Sequence, residues 1–243
     1  MTQLVNCFLF FGKFEKIQIS ENFWKNVKKY SIIIIITERG QKMDFSGFKN
    51  KLEAFGYVVK EFDNKEQAAA YLDQQIDGKT VGMGSSMSAK EMCLYEKLAA
   101  HNTVYWVMAP APAVNGLEAR DKAHTTDVYI SSVNGAAETG ELINIDNTGN
   151  RVAETLYGHK TVYLIIGENK VKPDFETALY HARNVASPKN AQRLGLKTPC
   201  AIKGDKCYNC NSPQRICRAL TVFWQKPVGS TYEIILVHEN LGY

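Results

Sequence analysis

Asp127-Val-Tyr-Ile-Ser-Ser-Val133 runs directly into Asn134-Gly-Ala-Ala-Glu-Thr-Gly-Glu-Leu-Ile-Asn-Ile-Asp-Asn-Thr-Gly-Asn-Arg151. The first stretch is short and rich in β-branched and aromatic residues, the composition of a strand. The second concentrates glycines, amides, carboxylates and one arginine. In an open α/β sheet, ligands bind outside the carboxyl ends of the strands, so a strand followed by such a segment predicts a parallel sheet with a binding site beyond it.

The pattern on either side agrees. From Met43 onward, helical and strand periodicities alternate, the signature of a sheet with crossover helices. Phe45, Phe48, Leu52 and Phe55 fall at helical spacing and lead into a strand at 57–62. Asn64, with Gln67 three residues on, can cap a second helix, and Thr80–Met83 reads as a buried strand. Ser88-Ala-Lys-Glu91 is a capping box for a helix reaching about Ala100. A strand is expected over 103–108, a helix over 117–124, and a second convincing strand over Thr161–Ile166. Pro173 suits the first turn of a helix extending to about Val185. Leu220–Trp224 and Glu233–Val237 read as closing strands. The expected fold is α/β, a mainly parallel sheet flanked by helices.

Of the 243 residues, 45% are hydrophobic and 22% charged, so most of the chain should pack. Residues 1–42 hold seven of the 29 basic and three of the 25 acidic residues, which leaves 22 of each sign in 43–243. That balance argues against a nucleic-acid partner. These first 42 residues, Phe-rich at the start and ending near five consecutive isoleucines, read as an added segment or an upstream start assignment ahead of a domain at 43–243. No apolar run reaches the ~18 residues that cross a bilayer, and no signal-peptide pattern is evident, so the expected location is the cytoplasm.

Three polar stretches are candidates for ligand chemistry. Gly82-Met-Gly-Ser-Ser-Met-Ser88 lies between a strand and a helix, where Gly82 and Gly84 permit close backbone approach and Ser85, Ser86 and Ser88 stand at the helix start. The alternative is a tight strand-to-helix turn. In the 134–151 segment, Glu138, Glu141 and Asp146 are candidate catalytic bases. Asn134, Thr139, Gly140, Asn144, Asn150 and Arg151 are candidate ligand contacts, with Arg151 able to fork onto a carboxylate or phosphate. Turn-forming and capping roles are open for the same residues. After the 161–166 strand, Gly167-Glu-Asn-Lys170 offers Lys170 as an anion contact or as a solvated surface lysine.

Cys200-x6-Cys207-x2-Cys210-x6-Cys217 is the sharpest pattern. The central pair can supply two thiolates from a tight turn and the outer cysteines complete a four-thiolate set, which suits zinc or an iron–sulfur cluster. Pro199, Gly204 and Pro213 supply turns. A redox dithiol or plain packing are the alternatives. Cys93 is expected in a buried helix, and His159 and His181 have no partner at a ligand spacing.

Taken together, Gly-Met-Gly-Ser-Ser-Met-Ser, Val-Asn-Gly-Ala-Ala-Glu-Thr-Gly-Glu-Leu-Ile-Asn-Ile-Asp, Gly-Asn-Arg-Val-Ala, Gly-Glu-Asn-Lys and Thr-Pro-Cys resemble the lactate-utilisation (LUD) domain family, from about Met43 to the C-terminus. The lactate utilisation protein C branch shares Glu138-Thr-Gly140, whereas the cysteine cluster is an addition to that branch's pattern. The resemblance implies the sugar-phosphate isomerase and CoA-transferase superfold. It also implies a role in bacterial oxidation of lactate to pyruvate, with a small anionic metabolite bound, an iron–sulfur cluster or zinc at the cysteines, and an iron–sulfur redox partner protein. Two other readings stand beside it: a CoA-transferase-like or isomerase-like enzyme with structural zinc, and a non-catalytic regulatory or scaffold subunit.

Overall fold

Along Thr161–Gly167, Val162, Leu164 and Ile166 point into one hydrophobic cluster while Tyr163 and Ile165 point into another. The strand is thus apolar on both faces, as a parallel strand covered on both sides must be. Thr231–Val237 divides in the same way, Ile234 and Leu236 against Ile235 and Val237.

The computed structural model describes residues 42–110 and 114–243; the expectation for the N-terminal segment lies outside these apart from Lys42. Residues 43–243 form one unit. In chain order the elements are α1 (Ser46–Ala54), β1 (Val58–Phe62), α2 (Lys65–Gln75), β2 (Thr80–Met83), α3 (Met87–Glu91), α4 (Leu94–Leu98), β3 (Thr103–Trp106), α5 (Gly116–Ala123) and β4 (Val128–Ser132). There follow β5 (Gly135–Ala137), β6 (Leu142–Asp146), α6 (Asn150–Leu156), β7 (Thr161–Gly167), a 3-10 turn (Glu168–Lys170), β8 (Val171–Lys172) and α7 (Phe175–His181). A π-helical turn (Ala182–Ala186), α8 (Ser187–Arg193), α9 (Pro199–Lys203), β9 (Ala219–Phe223) and β10 (Thr231–Val237) complete the described chain.

Six strands form an all-parallel sheet in the order β1-β10-β7-β4-β2-β3. The expected α/β class with a parallel sheet is therefore the observed one. A second sheet, β8-β5-β6-β9, is mixed: β6 runs antiparallel to both β5 and β9, and β8 is parallel to β5. One core, built on Phe45, Phe48, Leu52, Tyr129, Leu164 and Leu236, also contains Leu142 and Phe223 of the second sheet. The other, built on Leu72, Met83, Leu98, Trp106 and Ile165, covers the opposite face.

Several local expectations hold in detail, and several do not. The Asn64 side chain accepts from the Gln67 amide at 2.9 Å, as a cap should. The next helix is capped by Ser86 rather than Ser88, because the Ser88 hydroxyl turns instead to the carbonyl of Leu241 at 3.1 Å. That helix is broken by Cys93, which sits in the left-handed region at φ 51° and is exposed, not buried within a helix. Asp174 caps α7 with a reciprocal Thr177 bond, so Pro173 precedes the cap. Within the polar segment after β4, Gly135–Ala137 and Leu142–Asp146 form a β-hairpin that joins the second sheet.

Candidate functional site

A cleft of about 310 Å³ opens at the carboxyl ends of β2, β3 and β4. Its first wall is the turn after β2. The Gly84 amide donates to the Ile130 carbonyl at 2.9 Å, and the Trp106 indole N–H donates to the Gly84 carbonyl at 3.0 Å, so the turn is tied to the strand on each side. Ser86 then caps α3, its hydroxyl 2.9 Å from that of Ser132, and Ser85 is left exposed in the cleft. Gly82 and Gly84 serve packing. A Cβ on Gly82 would meet Thr126 and Tyr129 at 2.9 Å, and one on Gly84 would meet Ser131 at 3.0 Å.

The second wall is the turn from β6 into α6. Asp146 accepts from the Gly149 amide at 2.7 Å and from Arg151 Nε at 3.2 Å. Arg151 Nη1 donates to Asn144 Oδ1 at 2.6 Å and to the Ser132 carbonyl at 3.3 Å, while Nη2 donates to the Ile145 carbonyl at 2.7 Å and Asn134 Oδ1 at 3.0 Å. The guanidinium is spread across protein acceptors. It stitches β4 to β6 and orients Asp146, Asn134 and Asn144. The Asn144 Nδ2 is left buried without a partner.

Asn134, Asp146, Asn150 and Arg151 thus share the cleft with Ser85 and Ser86. Glu138, Thr139, Gly140 and Glu141 do not. They form the tip of the β5–β6 hairpin, where the Thr139 hydroxyl bonds the Glu141 carboxylate and Gly140, at φ 107°, fits under the Phe55 ring. Of the three carboxylates singled out as bases, only Asp146 lines the cleft. Arg120 from α5, Arg193 from α8 and Tyr243 line it too, and sequence reading did not single these out. Arg193 bonds Asn190 at 2.8 and 3.1 Å; Arg120 has no partner among the described residues. These two guanidiniums are the cations available to an anion.

Lys170 does not line the cleft; it is 2% exposed, its Nζ donating to Ser88 Oγ at 2.7 Å. Burial lowers its pKa to about 7, with Arg151 pushing the same way. It is not a solvated surface lysine.

The four clustered cysteines are arranged by three devices. Thr198 and Pro199 start α9, which carries Cys200, and Gly204 ends it at φ 69°. Asn184 of the π-helical turn accepts the Cys207 amide at 3.1 Å. Arg215 donates to the Cys210 and Cys217 carbonyls at 2.9 and 2.8 Å. All four thiols are free, and all four line one small cavity together with Arg183 and Arg215. Burial pushes the Cys217 thiol up, against the pull of Arg215, and neighbouring Cys207 adds to the rise. Among the described residues, no three His, Cys, Asp or Glu side chains gather as a single metal ion would require. Residues 183–226 contain nine Lys/Arg and one Asp, so the neutral sequence average hides a basic segment around the thiols. Ser187 and Ile216 belong to both the cysteine cavity and the cleft.

At 2% exposure, Glu154 is held between His159 Nε2, at 2.8 Å, and His124 Nδ1. The histidine that had no partner in sequence therefore has one in space. No helix among the described residues is long and apolar enough to cross a membrane.

The six-stranded parallel sheet, with a polar, arginine-bearing cleft at its strand ends, makes this an α/β protein of the open parallel-sheet class. The chain belongs to the LUD domain family, whose model matches residues 46–237. No curated protein matches it. Among solved structures it is similar to a DUF162 family protein from Deinococcus radiodurans, at 13% identity and a TM-score of 0.46, covering 79% of this chain and 94% of that one. Partial likenesses are to eIF2B beta from Chaetomium thermophilum (14% identity, TM-score 0.31, covering 46% and 44%) and ribose 5-phosphate isomerase from Plasmodium falciparum (17%, 0.29, 45% and 52%).

Proposed function

We propose that the protein is a component of a lactate-oxidising or closely related redox system, binding a small carboxylate or phosphorylated metabolite in the cleft and an iron–sulfur cluster at Cys200, Cys207, Cys210 and Cys217. The observation that carries this is the shared wall: a cleft offering Arg120, Arg193 and Ser85 lies against a cavity lined by four free thiols. Four soft ligands suit iron–sulfur or zinc. Arg183 and Arg215, which line the same cavity, offset the negative charge that thiolates bring, and the family resemblance to redox systems favours the iron–sulfur group. When bound, such a cluster supplies one-electron transfer. Oxidation of a 2-hydroxy acid to a 2-oxo acid releases two electrons and two protons, so an accepting partner is required, and the family resemblance favours an iron–sulfur protein. Asp146, held by Arg151, is the carboxylate placed to orient the ligand or take a proton.

Anaerobic purification followed by iron, zinc and acid-labile sulfide analysis, with calorimetric titration of lactate and orthophosphate, tests this reading. Iron and sulfide in comparable amounts, with anion binding weakened on the order of tenfold in Arg120→Ala, are expected. Zinc without sulfide would replace the redox role with a structural one, and a metal-free protein whose anion binding ignores Arg120 and Arg193 would overturn the reading.

A further inference from the structure

Lys170 ends the 3-10 turn that follows β7, yet its side chain is buried, with Ser88 Oγ its one hydrogen-bond partner among the described residues. An ammonium has three N–H donors. Buried against a single acceptor it leaves two unsatisfied, whereas a neutral amine loses one donor and gains a lone pair. Nearby Arg151 opposes a second positive charge, and Glu91, the acidic group acting on the amine, is exposed. Met87, next to Ser88, lines the cleft. So does Tyr243, two residues beyond the Leu241 whose carbonyl accepts from Ser88. The amine is thus linked through Ser88 to the neighbour of a cleft-lining residue, and Leu241 and Gly242 cover the Ser88 hydroxyl. Three hydrogen bonds hold that cover: Leu241 N to Asn169 Oδ1 at 3.0 Å, Asn169 Nδ2 to the Gly242 carbonyl at 3.4 Å, and Gly242 N to Glu91 Oε2 at 2.8 Å.

We propose that Lys170 is a reactive amine serving the cleft, condensing with the carbonyl of a small aldehyde or ketone that also carries a carboxylate or phosphate. The anionic group rests on Arg120 and Arg193, so this part depends on the reading of the cleft given above. The amine nitrogen adds to the carbonyl carbon. The carbinolamine then loses water, made of the carbonyl oxygen and the two amine hydrogens, and leaves an imine. Displacing Leu241–Tyr243 from Ser88 brings the two reactants together. A desolvated lysine that is neutral near physiological pH suits such chemistry, since only the unprotonated amine attacks.

Glyoxylate with cyanoborohydride is the probe, because it is a small aldehyde carboxylate and the reductant converts an imine to a stable secondary amine. The full-length protein is treated between pH 6 and 9 and the modified lysines are mapped by peptide mass spectrometry. Modification of Lys170 at least about tenfold faster than of exposed Lys60 and Lys90, slowed by orthophosphate and absent at that position in Lys170→Arg, is expected. Lys170 left unmodified, or modified no faster than those two, would overturn the proposal. Rapid Lys170 modification that Arg120→Ala and Arg193→Ala leave unchanged would support the reactive amine and reject the anion-binding role of the cleft.

Discussion

The Arg151 guanidinium donates to Asn144 Oδ1 at 2.6 Å and is 9% exposed, so its charge is spent inside the protein. Replacing it with alanine strands the acceptors of Asn134, Asn144 and Ile145 and leaves Asp146 without its cation. Arg151→Ala should cost about 3 kcal/mol, the scale for removing one member of a buried charged network, read from the urea midpoint. Arg120→Ala should leave that midpoint in place and weaken anion binding on the order of tenfold. An unaltered midpoint in Arg151→Ala would show that the network contributes little.

Lys170 imposes a sign on the pH dependence of stability. Its folded pKa of about 7 lies below the unfolded value near ~10.4, so between these the unfolded chain holds more protons and stability rises with pH. Below about pH 7 both states are protonated and the cost of the buried ammonium is fully present. Lys170→Met should therefore remove a rise in stability between pH 7 and 9. Parallel wild-type and variant denaturation series that keep the same slope would reject this.

Glu154→Leu should destabilise by about 3 kcal/mol, because it leaves the buried His159 Nε2 without an acceptor. Differential scanning calorimetry of Glu154→Leu and the Glu154→Leu/His159→Leu pair checks it: the double variant should recover part of the loss.

Gly135 and Gly47 should respond oppositely to alanine. A Cβ on Gly135 would lie 2.5 Å from the Ala178 carbonyl, a backbone atom that cannot swing away, so Gly135→Ala should cost about 2 kcal/mol. Gly47 lies in α1 with nothing within 4 Å of its added Cβ, and Gly47→Ala should gain about 0.5–1 kcal/mol. Chemical denaturation of the two variants side by side decides it.

Cys207→Ser and Cys210→Ser should each release bound metal and expose the 198–218 segment to proteolysis while the parallel sheet stays folded. Metal content that survives both substitutions would remove these cysteines from any metal site.

The parallel sheet was legible because Ile130, Leu164 and their neighbours form short apolar runs that depend on local chemistry alone. The hairpin was harder. Gly135-Ala-Ala137 has weak β propensity, and it pairs only because β8 and β6 flank it. β9 and β10 were readable as strands, but their separation into different sheets depends on partners far along the chain. Within the cleft, Ser85, Ser86 and Asp146 carried a local signal. Arg120, Arg193 and Tyr243 carried none, since they reach the same space from two helices and a strand-free end. The side-chain network of Arg151 was equally hidden: a free guanidinium and a fully committed one look alike in sequence.

Ser187 and Ile216, common to the thiol cavity and the cleft, make the two compartments neighbours in space. Coupling between bound species is reciprocal, so whatever affinity the cleft gains when the cysteines are ordered, the cysteines gain when the cleft is filled. If the shared residues couple the two, a cleft ligand would act as a guardian of the thiols, and ordering of the cysteines would tighten the ligand's binding by the same factor.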